Sequence, residues 1–272
     1  MSFEPSDSLT NDRLVSIWTW EIKMGSLTGK NVVVIGGSRG VGRQIVQTAV
    51  DVGANVLAVA RNSRSLDLLA SEVSSARTLA LDATHDDAPI TAFEAMDPDI
   101  LVIGGGCFPP VAPLHEQTWQ EFAVNWESDV KIGFNFLKAA LIRPLRPGST
   151  VILLSSGAGF AGSPISGGYA GAKRTQIFMI NYSQKEADRL GLDLRFAALA
   201  PRIMPDSDLG RHAVAGYARY LGMPEADFIE GMSFPPNMSD VAAAFLELAT
   251  GADFANGQAF IVSGKGMEVA NA

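Results

Sequence analysis

Tyr169 and Lys173 stand four residues apart in Tyr169-Ala170-Gly171-Ala172-Lys173. On a helix that spacing puts both side chains on one face. An ammonium beside a phenol favours the phenolate, an ion that an isolated tyrosine forms only near pH ~10. A phenol tuned toward neutral pH can give or take a proton at a carbinol or carbonyl oxygen. Alone, the pattern arises often by chance and carries little weight. Upstream, Leu154-Ser155-Ser156-Gly157-Ala158-Gly159 offers two hydroxyls, either of which can hydrogen-bond a substrate oxygen and steady developing charge.

A second constellation is Gly36-Gly37-Ser38-Arg39-Gly40-Val41-Gly42. It follows the apolar run Asn31–Ile35 and opens Val41–Val52, whose apolar residues recur at helical spacing. Glycines there permit a tight turn and let the backbone approach a pyrophosphate, with a helix N-terminus facing the phosphates. A strand before and a helix after are the context such a turn requires. The next apolar run ends Val59-Ala60-Arg61-Asn62. An acidic residue at that end would accept from an adenosine ribose hydroxyl and repel a 2′-phosphate, and none stands there. Arg61, with Arg39 inside the glycine turn, presents planar donors matched to phosphate oxygens. The expectation is NADP(H), with NAD(H) less favoured.

The elements that must position these groups alternate. Strands are expected at Asn31–Ile35, Asn55–Ala60, Thr78–Leu81, Ile100–Ile103, Thr150–Leu154, Leu194–Leu199 and Gln258–Val262. Helices are expected at Val41–Val52, Ser63–Ser74, Asp86–Ala95, Gln117–Val124, Asp129–Leu145, Gly168–Leu190 and Ser239–Ala249, the last with Ser239 as its N-cap. Met204–Pro236 is irregular or helical. Strands that are almost continuously apolar belong to a parallel sheet buried on both faces. The fold class is therefore α/β: a doubly wound, Rossmann-like parallel sheet of about seven strands in three α/β/α layers. Residues 27–272 form one domain, with a substrate loop at about 203–237, and residues 1–26 an N-terminal extension. In that extension Leu14, Ile17 and Trp18 have helical spacing, while Ser16, Trp18, Trp20 and Ile22 fit a strand face equally well.

Composition narrows the function. The 272 residues carry a net charge of -8 and no basic run, which argues against a nucleic-acid partner. Apolar residues make up 47%, enough for a substantial core, yet no stretch is long enough for a membrane span. The N-terminus lacks the basic and apolar regions of a secretory signal. One cysteine, Cys107, and three scattered histidines make neither a disulfide nor a metal cluster, so no metal is expected and a reducing cytoplasm suits the chain.

The spacing Gly36, Gly40, Gly42, followed by Ser156, Tyr169 and Lys173, resembles the short-chain dehydrogenase/reductase family from about Gly25 to Val269. Ser156 precedes Tyr169 by thirteen residues (169 − 156), the family interval, which favours it over Ser155. The resemblance implies that the substrate oxygen sits between Tyr169 and Ser156, that Lys173 also binds cofactor ribose, and that hydride moves to or from the nicotinamide. It implies cofactor contacts from Gly36, Ser38, Arg39, Gly40, Val41, Gly42 and Arg61, from Asp82 and Ala83 near the adenine, from Gly104 and Gly105, and from Tyr169, Lys173, Pro201 and Met204. Asp82 reads equally as the neighbour of a helix N-cap. A homo-oligomer, dimer or tetramer, is implied through Asp129–Leu145 and Gly168–Leu190.

Three departures stand out. The family's Asn-Asn-Ala-Gly is Ile103-Gly104-Gly105-Gly106 here. Its catalytic Asn, whose backbone carbonyl holds a relay water, is Asp129, with Asn125 close by; an Asp can keep a backbone role. Its Pro-Gly is Pro201-Arg202, an outward cation or one that recognises an anionic substrate. Cys107 and Phe108-Pro109-Pro110 flank the substrate pocket, the thiol as a small buried residue rather than a reactive one. Met204–Met238, rich in Met, Pro and aromatics, suits an apolar or partly aromatic small-molecule substrate, or packs the core. The expected activity is NADPH-dependent reduction of a ketone or aldehyde, or the reverse alcohol oxidation. The rival readings are non-redox elimination or isomerisation on the same fold, and an NADP-binding sensor without turnover.

Overall fold

The computed structural model describes residues 26–143, 145–251, 254 and 256–270. The N-terminal extension, with Trp18 and Trp20, lies almost wholly outside the described residues. Eight strands form one sheet: β1 (Asn31–Ile35), β2 (Asn55–Ala60), β3 (Arg77–Ala80), β4 (Ile100–Ile103), β5 (Ser149–Leu154), β6 (Leu194–Pro201), β7 (Ala259–Ser263) and β8 (Gly266–Val269). Their order across the sheet is β3-β2-β1-β4-β5-β6-β7-β8. The first seven are parallel, as a doubly wound sheet requires, while β8 runs back antiparallel against β7, with Ser263 opposite Gly266. The expected seven-strand sheet is thus extended by a short hairpin. Gly266, at φ 103°, takes a backbone shape that side chains disfavour, and so lets the chain turn at once.

Side chains alternate across the sheet, and each set meets its own helices. Val32, Val34, Val56, Ala58, Val102 and Ile152 pack with Ile45 of α1 (Gly40–Asp51), Leu69 of α2 (Ser63–Glu72) and Phe245 of α10 (Met238–Thr250). The opposite residues, Val33, Ile35, Leu57, Leu101, Ile103 and Leu153, pack with Ala92 of α3 (Ala88–Ala95), Phe136 of α5 (Lys131–Ile142) and Ile180 of α7 (Gly167–Arg189). The other α-helices among the described residues are α4 (Trp119–Asn125), a single turn α6 (Ala158–Ala161), α8 (Asp208–Leu221) and α9 (Glu225–Glu230). The stretch after β6 is therefore mostly helical, and not an open loop.

Two local expectations are corrected. Asn237, not Ser239, caps α10: its Oδ1 accepts from the backbone N–H of Ser239 at 2.8 Å and of Asp240 at 3.0 Å, and Asp240 reaches back to the N–H of Asn237 at 2.8 Å. Such a reciprocal cap stabilises a helix by roughly 1 kcal/mol and starts it two residues earlier. The two helices expected at Gln117–Val124 and Asp129–Leu145 are joined without a break by a π-turn, Trp126–Val130. The wider turn holds an extra residue and re-aims the helix after it, a device common beside functional sites. Here it turns both Asn125 and Asp129 inward, at 1% and 2% exposure.

Candidate active site

Between β1 and β4 the sheet order reverses, so the chain leaves these neighbouring strands toward opposite faces and opens a crevice beyond their C-terminal ends. A cavity of about 840 Å³ occupies it. Gly36, Ser38, Arg39, Gly40, Val41, Gly42, Arg61, Asp82, Ala83, Gly104 and Gly105 line it at one end; Asp129, Ser156, Tyr169, Lys173, Pro201 and Met204 line the rest. Every residue singled out in the sequence for catalysis or cofactor binding thus borders one space.

The glycine turn fits a dinucleotide on two counts. Arg39 is the N-cap of α1 with extended backbone and makes no capping bond through its side chain, and no acidic residue stands in the first turn. The helix end therefore offers its amides and positive dipole end to an anion. Gly36 has φ 84°, and a Cβ there would lie 2.8 Å from the backbone of Gly104, so the turns after β1 and β4 meet with no side chain between them.

Beyond the glycine turn, at the end of β2, Arg61 is exposed along the cavity wall. Asn62, beside it, is spent on the cap of α2, accepting from the N–H of Ser65 at 3.1 Å. Asp82 accepts from the N–H of Thr84 at 3.0 Å and from its hydroxyl at 2.7 Å. The backbone bond from Thr84 holds the Asp82 carboxyl below its ordinary value against the cost of burial, and the charge of Arg61 adds to the effect. Asp82 braces the loop after β3 while facing the cavity; the residue before α3 is Asp87.

At the opposite end β5 and α7 supply the chemistry-bearing side chains. Ser156 is half-buried on the cavity wall and its Oγ accepts from the N–H of Ala158 at 3.2 Å. Ser155 is buried and donates to the carbonyl of Lys173 at 2.9 Å, which ties β5 to α7. The two neighbouring serines thus divide, one facing the cavity and one fastening the helix. The Lys173 ammonium lies 5.5 Å from the centre of the Tyr169 ring. It pairs with Asp129 Oδ1 at 3.2 Å and donates to the carbonyl of Leu154 at 3.2 Å and to Gln176 Oε1 at 3.1 Å. Burial works against its charge, but Asp129, with Tyr169 and Cys107, outweighs that and holds Lys173 above its ordinary value.

Asp129 is held through both its backbone and its side chain. Its carbonyl accepts from Gln176 Nε2 at 2.9 Å. Its carboxylate Oδ2 accepts from the N–H of Cys107 at 3.1 Å and lies 2.8 Å from Ser128 Oγ and 3.4 Å from Asn125 Nδ2. Cys107 is half-buried, and burial pushes its thiol up, toward the unreactive form. Arg202 is exposed on the cavity wall.

Phe108, Pro109, Val111, Ile165, Phe228 and Met232 give the cavity an apolar wall. Helix α8 is clamped to this wall: His212 Nε2 meets the carbonyl of Pro109 at 2.8 Å, and Tyr217 donates to Ser163 at 2.8 Å while stacking on Phe228 of α9. Gln176, Ser128, Thr84, His212 and Tyr217 were not singled out in the sequence. Gln176 had a signal, one helical turn beyond Lys173, and Thr84 another in Asp82-Ala83-Thr84, a spacing suited to a side-chain turn. The other three have none.

The chain is similar to known proteins. A family described as short chain dehydrogenase matches residues 30–216. The chain is 27% identical over 247 residues to the L-fucose dehydrogenase of Mus musculus, covering 87% of this chain and 88% of that one. It is 28% identical over 234 residues to the cis-3,4-dihydrophenanthrene-3,4-diol dehydrogenase of Alcaligenes faecalis, covering 80% and 81%. It is 26% identical over 189 residues to a 2,5-dichloro-2,5-cyclohexadiene-1,4-diol dehydrogenase of Sphingobium indicum, covering 65% and 74%.

Proposed function

The chain belongs to the short-chain dehydrogenase/reductase family of NAD(P)-dependent oxidoreductases, and from that premise we propose that it interconverts a secondary alcohol and its carbonyl on a small, largely apolar or aromatic frame, with NADP(H) preferred. The observation that carries the reading is one shared cavity. Ser156, Tyr169 and Lys173 border the same space as the uncapped end of α1 and the glycine turns.

The roles rest on the chemistry of each group. A bound nicotinamide would supply or accept the hydride. Tyr169 gives a proton to the substrate oxygen during reduction and takes it back during oxidation. Ser156 hydrogen-bonds the same oxygen and stabilises its developing charge. The ammonium of Lys173 lies near the phenol ring and steadies the charged form. The apolar wall of Phe108, Val111, Ile165 and Phe228 excludes water and favours a substrate with an apolar frame. The diol dehydrogenases among the relatives make cis-dihydrodiols and their ketones the first probes, with sugars such as L-fucose as the polar counterpart. Purified protein is mixed with NADPH or NADH for the ketones, and with NADP+ or NAD+ for the dihydrodiols and sugars, and the nicotinamide absorbance is followed. Turnover of at least one carbonyl or alcohol is expected. Tight cofactor binding with no turnover across the panel would favour non-redox chemistry or sensing instead.

Cofactor preference rests on Arg61 and Arg39 on the cavity wall and on the lack of an acidic residue at the end of β2. A charge-assisted contact to a 2′-phosphate contributes about 1.5–3 kcal/mol. Arg61→Asp is therefore expected to cut kcat/KM with NADPH by roughly tenfold to a hundredfold relative to NADH. An unchanged ratio would leave the preference without support.

Self-association is proposed through α5 and α7. Phe134, Phe178 and Tyr182 are 49%, 64% and 41% exposed, and with Trp126 and Val130 they line one shallow apolar depression. Such aromatic patches on a protein surface mark contact sites. Light scattering at micromolar concentration is expected to give a dimer or tetramer, and Phe178→Ser is expected to reduce the mass. A monomeric wild-type protein would refute the proposal.

A further inference from the structure

The geometry points to Asp129 and Gln176 as positioning residues that set the pH range of turnover by pairing with and hydrogen-bonding the Lys173 ammonium. This rests on the assignment of Tyr169 as the proton-transfer group. An ammonium has three N–H donors. Here two of them go to Gln176 Oε1 at 3.1 Å and the Leu154 carbonyl at 3.2 Å, and Asp129 Oδ1 forms an ion pair with the ammonium at 3.2 Å. The lysine side chain is 8% exposed and its carboxylate partner 2%. Little water screens the pair, so it acts on its surroundings as a unit.

The carboxylate is built in. The N–H of Cys107, the hydroxyl of Ser128 and the amide of Asn125 all reach Oδ2, within 3.4 Å. The Asp129 carboxylate also occupies the place that a side chain on residue 106 would need, since a Cβ on Gly106 would lie 2.5 Å from Oδ2. The Gly106-Cys107 turn, the π-turn and α7 thus close around one negative charge. Gln176 completes the lock by donating to the Asp129 carbonyl at 2.9 Å while accepting from Lys173.

The consequence concerns the phenol. Seen from the Tyr169 ring, 5.5 Å from the ammonium, the positive charge comes with a negative one 3.2 Å from it. The titratable and charged groups facing the ammonium are Asp129 from the π-turn, Cys107 from the loop after β4 and Tyr169 from α7. Burial favours the neutral thiol of Cys107, so Asp129 is the counter-charge that matters. A lysine so compensated lends a phenolate less support than a lone one would. Alcohol oxidation, which needs the phenolate, is therefore held to more alkaline pH than an uncompensated lysine would allow.

Two substitutions test this with opposite signs. Asp129→Asn removes the counter-charge and keeps the side-chain shape. The acid limb of the rate profile for alcohol oxidation, at saturating NADP+ and with whichever panel alcohol turns over, is expected to move toward lower pH by about one unit. Gln176→Glu adds a carboxylate at the lysine contact and is expected to move that limb toward higher pH. A purely structural role for either residue would change melting temperature and plateau rate without displacing the limb. Limbs that stay put in folded variants, or that both move the same way, overturn the proposal. Should Asp129→Asn fail to fold by circular dichroism, the direction of the Gln176→Glu shift decides it. Full turnover in Tyr169→Phe would instead refute the tyrosine assignment, whatever the profiles do.

Discussion

Replacing Tyr169 with phenylalanine is expected to lower kcat by about 10²–10⁴-fold, the usual contribution of a placed acid or base. The substitution removes one oxygen and keeps the ring. Tyr169 is half-buried at the start of α7, so its ring contacts and the helix should persist. The 5.5 Å approach of the Lys173 ammonium to the ring is likewise retained. Cofactor affinity, read by nicotinamide fluorescence, and melting temperature should stay close to wild type while turnover collapses. That split separates a chemical role from a structural one. A variant that binds cofactor and turns over at the wild-type rate would remove the basis of the proposed mechanism.

Lys173→Met is expected to produce the largest loss of stability, about 3–5 kcal/mol, because it strands the Asp129 carboxylate in a buried site without its cation. Lys173 is 6% exposed and Asp129 2%, so little water screens the pair. The carbonyl of Leu154 and Oε1 of Gln176 lose a donor in the same step. For a chain of this size the melting temperature should fall by roughly 10 °C. The double variant Lys173→Met, Asp129→Asn should recover most of that loss, since it removes both charges together. A single variant as stable as wild type, or a double variant no better than the single, would show that the pair is not coupled.

The sign of the pH dependence is set by the lysine's raised value in the folded state. Its contribution to stability is fully present below the unfolded lysine value of about 10.4 and fades only as pH rises through the higher folded value. Stability in the neutral range should therefore be insensitive to this group. A loss on mild alkalinisation, well below pH ~10, would have another source.

Much of the candidate site was legible in the sequence because its parts are local. A glycine turn between a strand and a helix needs only neighbouring residues, and Tyr169 and Lys173 share a helix face by spacing alone. Spacing also singled out Ser156, which borders the cavity, but only the fold explains Ser155 beside it: that hydroxyl fastens the backbone of Lys173 to β5. The caps were less legible. Ser239 and Asn237 are both good capping residues, and only the reciprocal bond with Asp240 selects Asn237.

What the sequence determined by itself was the α/β alternation, the switch-point crevice that comes with it, and the set of polar residues that line it. These depend on period and local turn chemistry, which act over a few residues. The tertiary structure alone decided how Asp129 is used. Its carboxylate, Gln176, Asn125, Ser128 and the N–H of Cys107 come from segments up to 69 positions apart (176 − 107) and meet only because α4, its π-turn and α7 pack side by side. A buried charge is tolerated only where partners converge on it, and convergence is a property of packing between elements, which no local pattern encodes.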